Sequence, residues 1–151
     1  MIYLIDTDTL IHLARGLRAA KPAGLSAQER LRKARRIVAH CRKLQANGDD
    51  LCVSAITVAE LEYGARRSAN YEAESAAVQK ILAPFTLWAF DPTACAIEYG
   101  RIRQKLAAAG TPIGAMDHLI AAHATALGAV LVTNNIDHFA RVEGLRCESW
   151  F

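Results

Sequence analysis

The stretch that decides the fold is "MIYLIDTDTLI", residues 1–11. Residues 1–5 are apolar and partly β-branched, the pattern of a short strand buried on both faces. Asp6 and Asp8 then follow, one residue apart. A polar residue at a strand-to-helix turn commonly caps the helix, and Asp8 is assigned that role. Asp6 is harder to account for, because it adjoins a wholly apolar strand and burying a lone carboxylate is costly.

Working outward, "TLIHLARG" (9–16) reads as a short helix ending at Gly16. "LRAAKPAGL" (17–25) reads as a loop punctuated by Pro22 and Gly24. "SAQERLRKARRIVAHCRKLQANG" (26–48) carries a full helix signature. Ser26 and Glu29 form a capping box, and Leu31, Ala34, Val38, Cys41 and Gln45 step round one face. Asn47-Gly48 is the stop. "LCVSAI" (51–56) is a second strand and leads into the helical "TVAELEYGARRS" (57–68). "NYEAESAAVQKILAPF" (70–85) is a helix closed by Pro84, and "TLWAF" (86–90) a third strand. Asp91 as N-cap and Pro92 at the first helical position open the helix of 91–110. "PIGAMDHLIAAHATALG" (112–128) is another helix, "AVLVT" (129–133) a fourth strand and "LRCESW" (145–150) a fifth.

Short apolar strands alternating with helices imply an α/β fold, with a parallel sheet of four or five strands covered on both faces. A chain of 151 residues suits one domain over 1–151. Ligands of such sheets sit at the carboxyl ends of the strands. Asp6 ends the first strand, the second leads to the helix carrying Glu60, and the fourth delivers "TNNID" (133–137).

Composition narrows the function classes. Hydrophobic content of 52% and charged content of 22% are those of a globular protein. No stretch has the roughly 18 strongly apolar residues of a membrane span, and no basic region leads into an apolar run as in a signal peptide. Cys41, Cys52, Cys95 and Cys147 are scattered, so reduced thiols in a cytoplasmic protein are expected rather than a disulfide framework or zinc site. Net charge is only +3, yet ten of the eighteen Lys and Arg lie between Arg15 and Lys43, against one acid, Glu29. A clustered basic face can hold a polyanion, and a solvated helix face is the alternative.

Glu60 has two readings. Thr57-x-x-Glu60 is itself a capping box, or Glu60 joins Asp6 at the sheet edge; Glu62 is a weaker candidate. Asp117 is the only acid between Glu98 and Asp137, in a helix apolar round most of its circumference. Asn134, Asn135 and Asp137 are turn formers whose oxygens can also ligate a hard cation. Several converging carboxylates repel one another unless a cation sits among them. All-oxygen ligands favour Mg²⁺ or Mn²⁺ over zinc, and such a site suits phosphodiester hydrolysis. The five histidines form no convincing site. His118 and His123 are five apart, and His12, His40 and His138 are assigned to surface or core.

Four stretches in order along the chain resemble the PIN-domain ribonucleases of the VapC toxin type. They are "MIYLIDTDTLI", "VSAITVAELEYGA" (53–65), "GTPIGAMDHLIAAHA" (110–124), and "LVTNNIDHFARVEGL" (131–145) followed by "ESW". The resemblance implies a PIN-like, Rossmann-like three-layer fold and a Mg²⁺-dependent endoribonuclease, with Mn²⁺ as the alternative ion. Asp6 and Asp117 would be the principal metal ligands, and Glu60 would bind directly or through water. The fourth acidic position holds Asn135 where many members have Asp; Asp137 is the other candidate. Thr133 would position water or a ligand. The resemblance further implies a tRNA substrate, closest to the branch that cuts initiator tRNA in the anticodon loop. It also implies a homodimer and a VapB-type antitoxin partner, with the basic 15–43 segment facing either RNA or antitoxin. A haloacid-dehalogenase-type phosphatase would share "DTDTL" but requires Gly-Thr after the second Asp, where Thr9-Leu10 stands. A non-catalytic PIN module is favoured only by Asn135.

Overall fold

A computed structural model describes residues 1–18 and 23–151. Five strands are present: β1 (Ile2–Ile5), β2 (Asp50–Ser54), β3 (Thr86–Trp88), β4 (Val130–Val132) and β5 (Arg146–Glu148). They form one sheet in the order β3-β2-β1-β4-β5, every neighbouring pair parallel. The helices are α1 (Thr7–Leu17), α2 (Leu25–Ala46), α3 (Ala55–Arg66), α4 (Tyr71–Leu82), α5 (Ala94–Ala108), α6 (Ala115–Leu127) and the short α7 (Ile136–Phe139). The expected α/β architecture with five parallel strands is the observed one.

Strand alternation builds two cores from one sheet. Tyr3, Ile5, Leu51, Val53, Val130 and Val132 face Leu10, Leu13, Ala34, Ile37, Cys41, Leu44 and Leu82 of α1, α2 and α4. Leu4, Cys52 and Leu131 face Ile102, Leu106, Ile120, Ala121, Ala124 and Phe139 of α5, α6 and α7. Burial on both sides is why these strands read as apolar runs rather than alternating ones. Central β1 is paired on both edges, with Ile5 opposite Val53 of β2 and Val132 of β4. One residue further, Asp6, Ser54 and Thr133 stand side by side at the carboxyl ends of these strands.

Several helix starts differ from the sequence reading. α2 begins at Leu25, behind Gly24, so Ser26 lies inside its first turn and forms no capping box. α5 begins at Ala94; the Asp91 carboxylate still accepts the N–H groups of Thr93 (2.9 Å) and Ala94, but as a turn ahead of the helix. Ala55 and Ile56 belong to α3, not to the second strand. The buried stripe of α2 is Ala34, Ile37, Cys41 and Leu44, whereas Gln45 is exposed and donates to the Pro84 carbonyl at 2.8 Å. The loop expected over 17–25 falls partly outside the described residues, Pro22 included, and Leu17 closes α1. α2 and α6 end at Asn47-Gly48 and at Gly128 as expected, the latter left-handed at φ 62°.

All four cysteines are free thiols. Burial pushes Cys41 up to about 11 and Cys52 up to about 12, so neither is a nucleophile at neutral pH. Among the described residues no helix is long and apolar enough to cross a membrane.

α1 and α2 meet at Gly16, where a Cβ would stand 2.6 Å from Ala34 Cβ and 2.7 Å from the Arg30 carbonyl oxygen. The second neighbour is backbone and cannot rotate away. Gly16→Ala is therefore expected to destabilise by about 1–3 kcal/mol through overpacking, despite alanine's higher helix propensity. Urea denaturation checks this; an unchanged or higher midpoint would contradict the close approach.

Candidate active site at the carboxyl edge of the sheet

Asp6 follows β1 and is 5% exposed. It is the N-cap of α1: one carboxylate oxygen accepts the Thr9 N–H at 2.8 Å. The other accepts the Thr133 hydroxyl, and the Asp6 N–H extends the ladder to the Val132 carbonyl at 3.0 Å. The cap is thus Asp6 and not Asp8, which is exposed in the first turn of α1. Burial pushes the Asp6 carboxyl above its ordinary value, with Asp8 adding a smaller push; the Thr133 and Thr9 bonds pull it down in part. Among the described residues no Lys or Arg pairs with Asp6.

Glu60 lies on α3, whose cap is Ser54, the hydroxyl accepting the Ile56 N–H at 3.1 Å. Thr57 is therefore a buried residue inside the helix, and the Thr57–Glu60 capping box does not form. Glu60 instead accepts the hydroxyl of Thr7, the residue after Asp6; that hydroxyl lies 3.2 Å from Thr57 Oγ1. Glu62 turns to the surface, bonded to Arg66 at 2.9 Å and to Tyr71 at 2.8 Å.

Asp117 sits in the first turn of α6, half-buried, where the helix dipole favours its charge. Its carboxylate stands 3.2 Å from His138 Nδ1 on α7. His138 is thus a site residue that the sequence reading placed elsewhere, and Thr7 is a second one it did not single out. Asn135 is half-buried and donates its backbone N–H to Thr133 Oγ1 at 3.0 Å, so it joins Asp6 through one shared hydroxyl. Asp137 is exposed and has no hydrogen bond among the described residues. His123 is a core residue, its Nδ1 2.8 Å from Ser54 Oγ and its ring edge-on to Phe90.

The edge therefore carries Asp6, Glu60, Asp117, Asn135 and Thr133 together, each held by a named neighbour. The carboxylates themselves are not gathered round one point. Among the described residues, no three His, Cys, Asp or Glu side chains form a group that could hold a metal ion. Glu60 is drawn to Thr7 and Asp117 to His138. The donor chemistry still fits a hard cation, being all oxygen. Asp6 supplies the strongest reason for one, since it is a buried carboxylate with hydrogen bonds but no positive partner.

That unpaired charge has a measurable consequence. Because the folded-state pKa of Asp6 is raised, the folded protein holds its proton to higher pH than the unfolded chain does. Stability is full below the ordinary carboxylate value and falls as pH rises through the folded value. Asp6→Asn can retain both the cap and the contact with Thr133, and it removes the charge. In EDTA its melting temperature should exceed the wild type by a few degrees at pH 7, with the gap closing near pH 4; scanning calorimetry at both values tests this. A lower melting temperature than wild type at pH 7 would refute it.

A PIN-domain family model matches residues 3–145. The tRNA(fMet)-specific endonuclease VapC of Salmonella typhimurium is 41% identical over 108 residues, covering 72% of this chain and 81% of the relative. Ribonuclease VapC2 of Haemophilus influenzae is 34% identical over 148 residues, 98% of this chain and 97% of the relative. Among solved structures, DNA-bound VapBC from Salmonella typhimurium superposes with a TM-score of 0.81 at 33% identity, over 100% of this chain and 99% of that one. With the acids of the sheet edge all inside the matched region, this chain belongs to the PIN-domain family, on its VapC branch.

Proposed function

We propose that this protein is the toxin of a type II toxin–antitoxin pair and a Mg²⁺-dependent endoribonuclease that cuts tRNA in the cytoplasm. Initiator tRNA is the first substrate to test, because the relative with 41% identity is named for tRNA(fMet). Its inhibitor would be a VapB-type antitoxin, as in the VapBC complex it resembles, and its working form a homodimer. The observation that carries the reading is Asp6: a buried carboxylate at the carboxyl end of the central strand, held by Thr133 and unpaired with any Lys or Arg among the described residues.

Asp6 and Asp117 would hold the ion, with Glu60 beside them; Mn²⁺ is the alternative. A hard divalent cation would supply charge against the phosphoryl oxygens and lower the pKa of a bound water. The chain's own residues do the rest. Thr133 fixes the Asp6 rotamer from β4, and Thr9 fixes it from α1. Thr7 holds Glu60 in reserve, and exchanging that hydroxyl frees the carboxylate to orient the attacking water. His138 holds Asp117 at 3.2 Å, and parting of that contact would free the carboxylate for the ion. Asn135, tied to Thr133 through its backbone N–H, would offer an amide oxygen at the fourth position, for which the exposed Asp137 is the weaker candidate.

The test is incubation of the purified protein with total tRNA, with Mg²⁺ and with EDTA, beside Asp6→Asn and Asp117→Asn. A discrete cut is expected that requires the metal and both acids, and end-mapping identifies the tRNA. Asp137→Asn should leave the cut intact and Asn135→Ala should weaken it. No cleavage by the wild type with either Mg²⁺ or Mn²⁺, in the absence of antitoxin, would overturn the reading in favour of a non-catalytic PIN module.

A further inference from the structure

Charge is distributed very unevenly along this chain. Residues 15–43 hold ten Lys and Arg and one acid, a balance of +9; the remaining residues hold eight Lys and Arg and fourteen acids, a balance of −6. The two sum to the overall +3. The fold concentrates the positive part on one helix. Arg30, Arg32, Lys33, Arg35, Arg36, Arg42 and Lys43 are all exposed on α2. Its buried stripe, Ala34, Ile37, Cys41 and Leu44, faces the sheet. At 100° per residue Arg32, Arg35, Arg36 and Lys43 lie opposite that stripe.

Three further features set this face apart from an ordinary solvated one. First, its charges are not balanced: Arg32 pairs with Glu29, and among the described residues Lys33, Arg35, Arg36, Arg42 and Lys43 have no acidic partner. Like charges recur at helical contact spacing, with Arg32 three and four residues from Arg35 and Arg36, and Lys33 three from Arg36. Such pairs destabilise a helix rather than support it. Second, the first turns of α2 are lightly packed: residues 25–33 contribute no buried side chain, although the Arg30 backbone meets Gly16 of α1. Third, the charged stretch lacks apolar anchors, the exposed Leu25 standing more than a turn before it at the start of the helix. From Arg30 to Lys43 no large hydrophobic side chain is exposed, whereas a protein partner is normally gripped by buried aromatic and aliphatic residues. Leu31 only partly lines a shallow depression with Gln28, Arg32, Arg35, Arg36 and Ala39.

We infer that the exposed face of α2 is an RNA-binding surface that engages the phosphate backbone of the substrate away from the cleaved bond. This rests on the nuclease reading above and extends it to the substrate's second point of contact. The acidic remainder of the chain repels a polyanion, including at the sheet edge where cleavage would occur. A basic helix on the same body offsets that repulsion and holds the RNA while its backbone reaches the acids. Contacts to phosphate carry no base sequence, so α2 sets affinity and the carboxyl edge sets where the chain is cut.

The experiment compares three forms of the full-length protein. One is the wild type. The second carries Arg35→Gln, Arg36→Gln, Arg42→Gln and Lys43→Gln. The third loses four positive charges elsewhere, through Arg101→Gln, Arg103→Gln, Lys105→Gln and Arg141→Gln. Binding to total tRNA is measured in EDTA across a salt series, and cleavage is measured separately with Mg²⁺. Glutamine is a good helix former and relieves the repulsion, so the α2 variant should melt no lower than the wild type. Its affinity should fall at least tenfold, and its slope of log K against log salt should be shallower by about 3, at roughly 0.7–0.9 per lost phosphate contact. KM for tRNA should rise with kcat unchanged. The third form should bind tRNA as the wild type does.

Equal weakening by both variants would overturn the inference, because net charge alone would then explain it. So would unchanged tRNA binding by the α2 variant, or loss of antitoxin binding with tRNA binding intact, which would make the helix a protein interface. If the α2 variant fails to fold, Arg35→Lys with Arg36→Lys provides the check, since charge without the guanidinium should preserve binding; its loss would count against phosphate attraction. A wild type that cleaves while the α2 variant binds equally well defeats only this inference. A wild type that binds through α2 yet never cleaves defeats only the nuclease reading.

Discussion

The carboxyl edge of the sheet depends on how one buried carboxylate is held. Asp6 directly follows the central strand, caps α1 through the Thr9 N–H, and takes the hydroxyl of Thr133, the residue after β4. One side chain therefore fixes the β1-to-α1 turn, the β1–β4 seam and the floor of the candidate site. Two hydrogen bonds satisfy its oxygens without neutralising its charge, and burial keeps that charge unfavourable. A carboxylate fixed in place by hydrogen bonds and electrostatically unsatisfied is a natural place for a cation. The same arrangement explains why neighbouring hydroxyls are so prominent here. Thr7, Thr9, Thr57 and Thr133 donate to or flank acids without adding a competing positive charge.

Much of this was legible in the sequence, for identifiable reasons. Strands buried on both faces appear as short unbroken apolar runs, and β1, β2 and β4 were found that way. Asp6, Glu60 and Asp117 stood out because each acid interrupts an apolar context. The helix starts were read less well. Ser26, Thr57 and Asp91 all match local capping patterns, but a helix begins where the chain leaves its preceding strand or turn, which local pattern does not encode. Ser54 caps α3 because β2 ends there. Asp6 took the cap assigned to Asp8 because the strand's last pair, Ile5 with Val132, leaves Asp6 at the turn. His138 and Thr7 were invisible for a different reason. Their partners, Asp117 and Glu60, lie 21 and 53 residues away along the chain, and no spacing rule reaches so far.

The two cores show how the sheet separates duties. One layer, α1, α2 and α4, brings long side chains to the strands and carries the basic helix on its outside. The other, α5, α6 and α7, combines large side chains, Ile102, Leu106 and Phe139, with small ones, Ala121, Ala122 and Ala124 being fully buried in α6. The alanines seat α6 against the second face of the sheet, and Asp117 stands in the first turn of that helix.

The strand register has a further consequence, for inheritance. Asp6, Ser54 and Thr133 are aligned because Ile5 sits opposite both Val53 and Val132. Their alignment therefore owes nothing to the length of the connections at 67–70 and 89–93. A lineage can lengthen or shorten those segments without re-aiming the acid at the end of β1. A single residue gained within β1 or β4 is another matter, since it would turn every later side chain of that strand to the opposite layer. Insertions among descendants of this protein should collect in the connections and spare the three central strands.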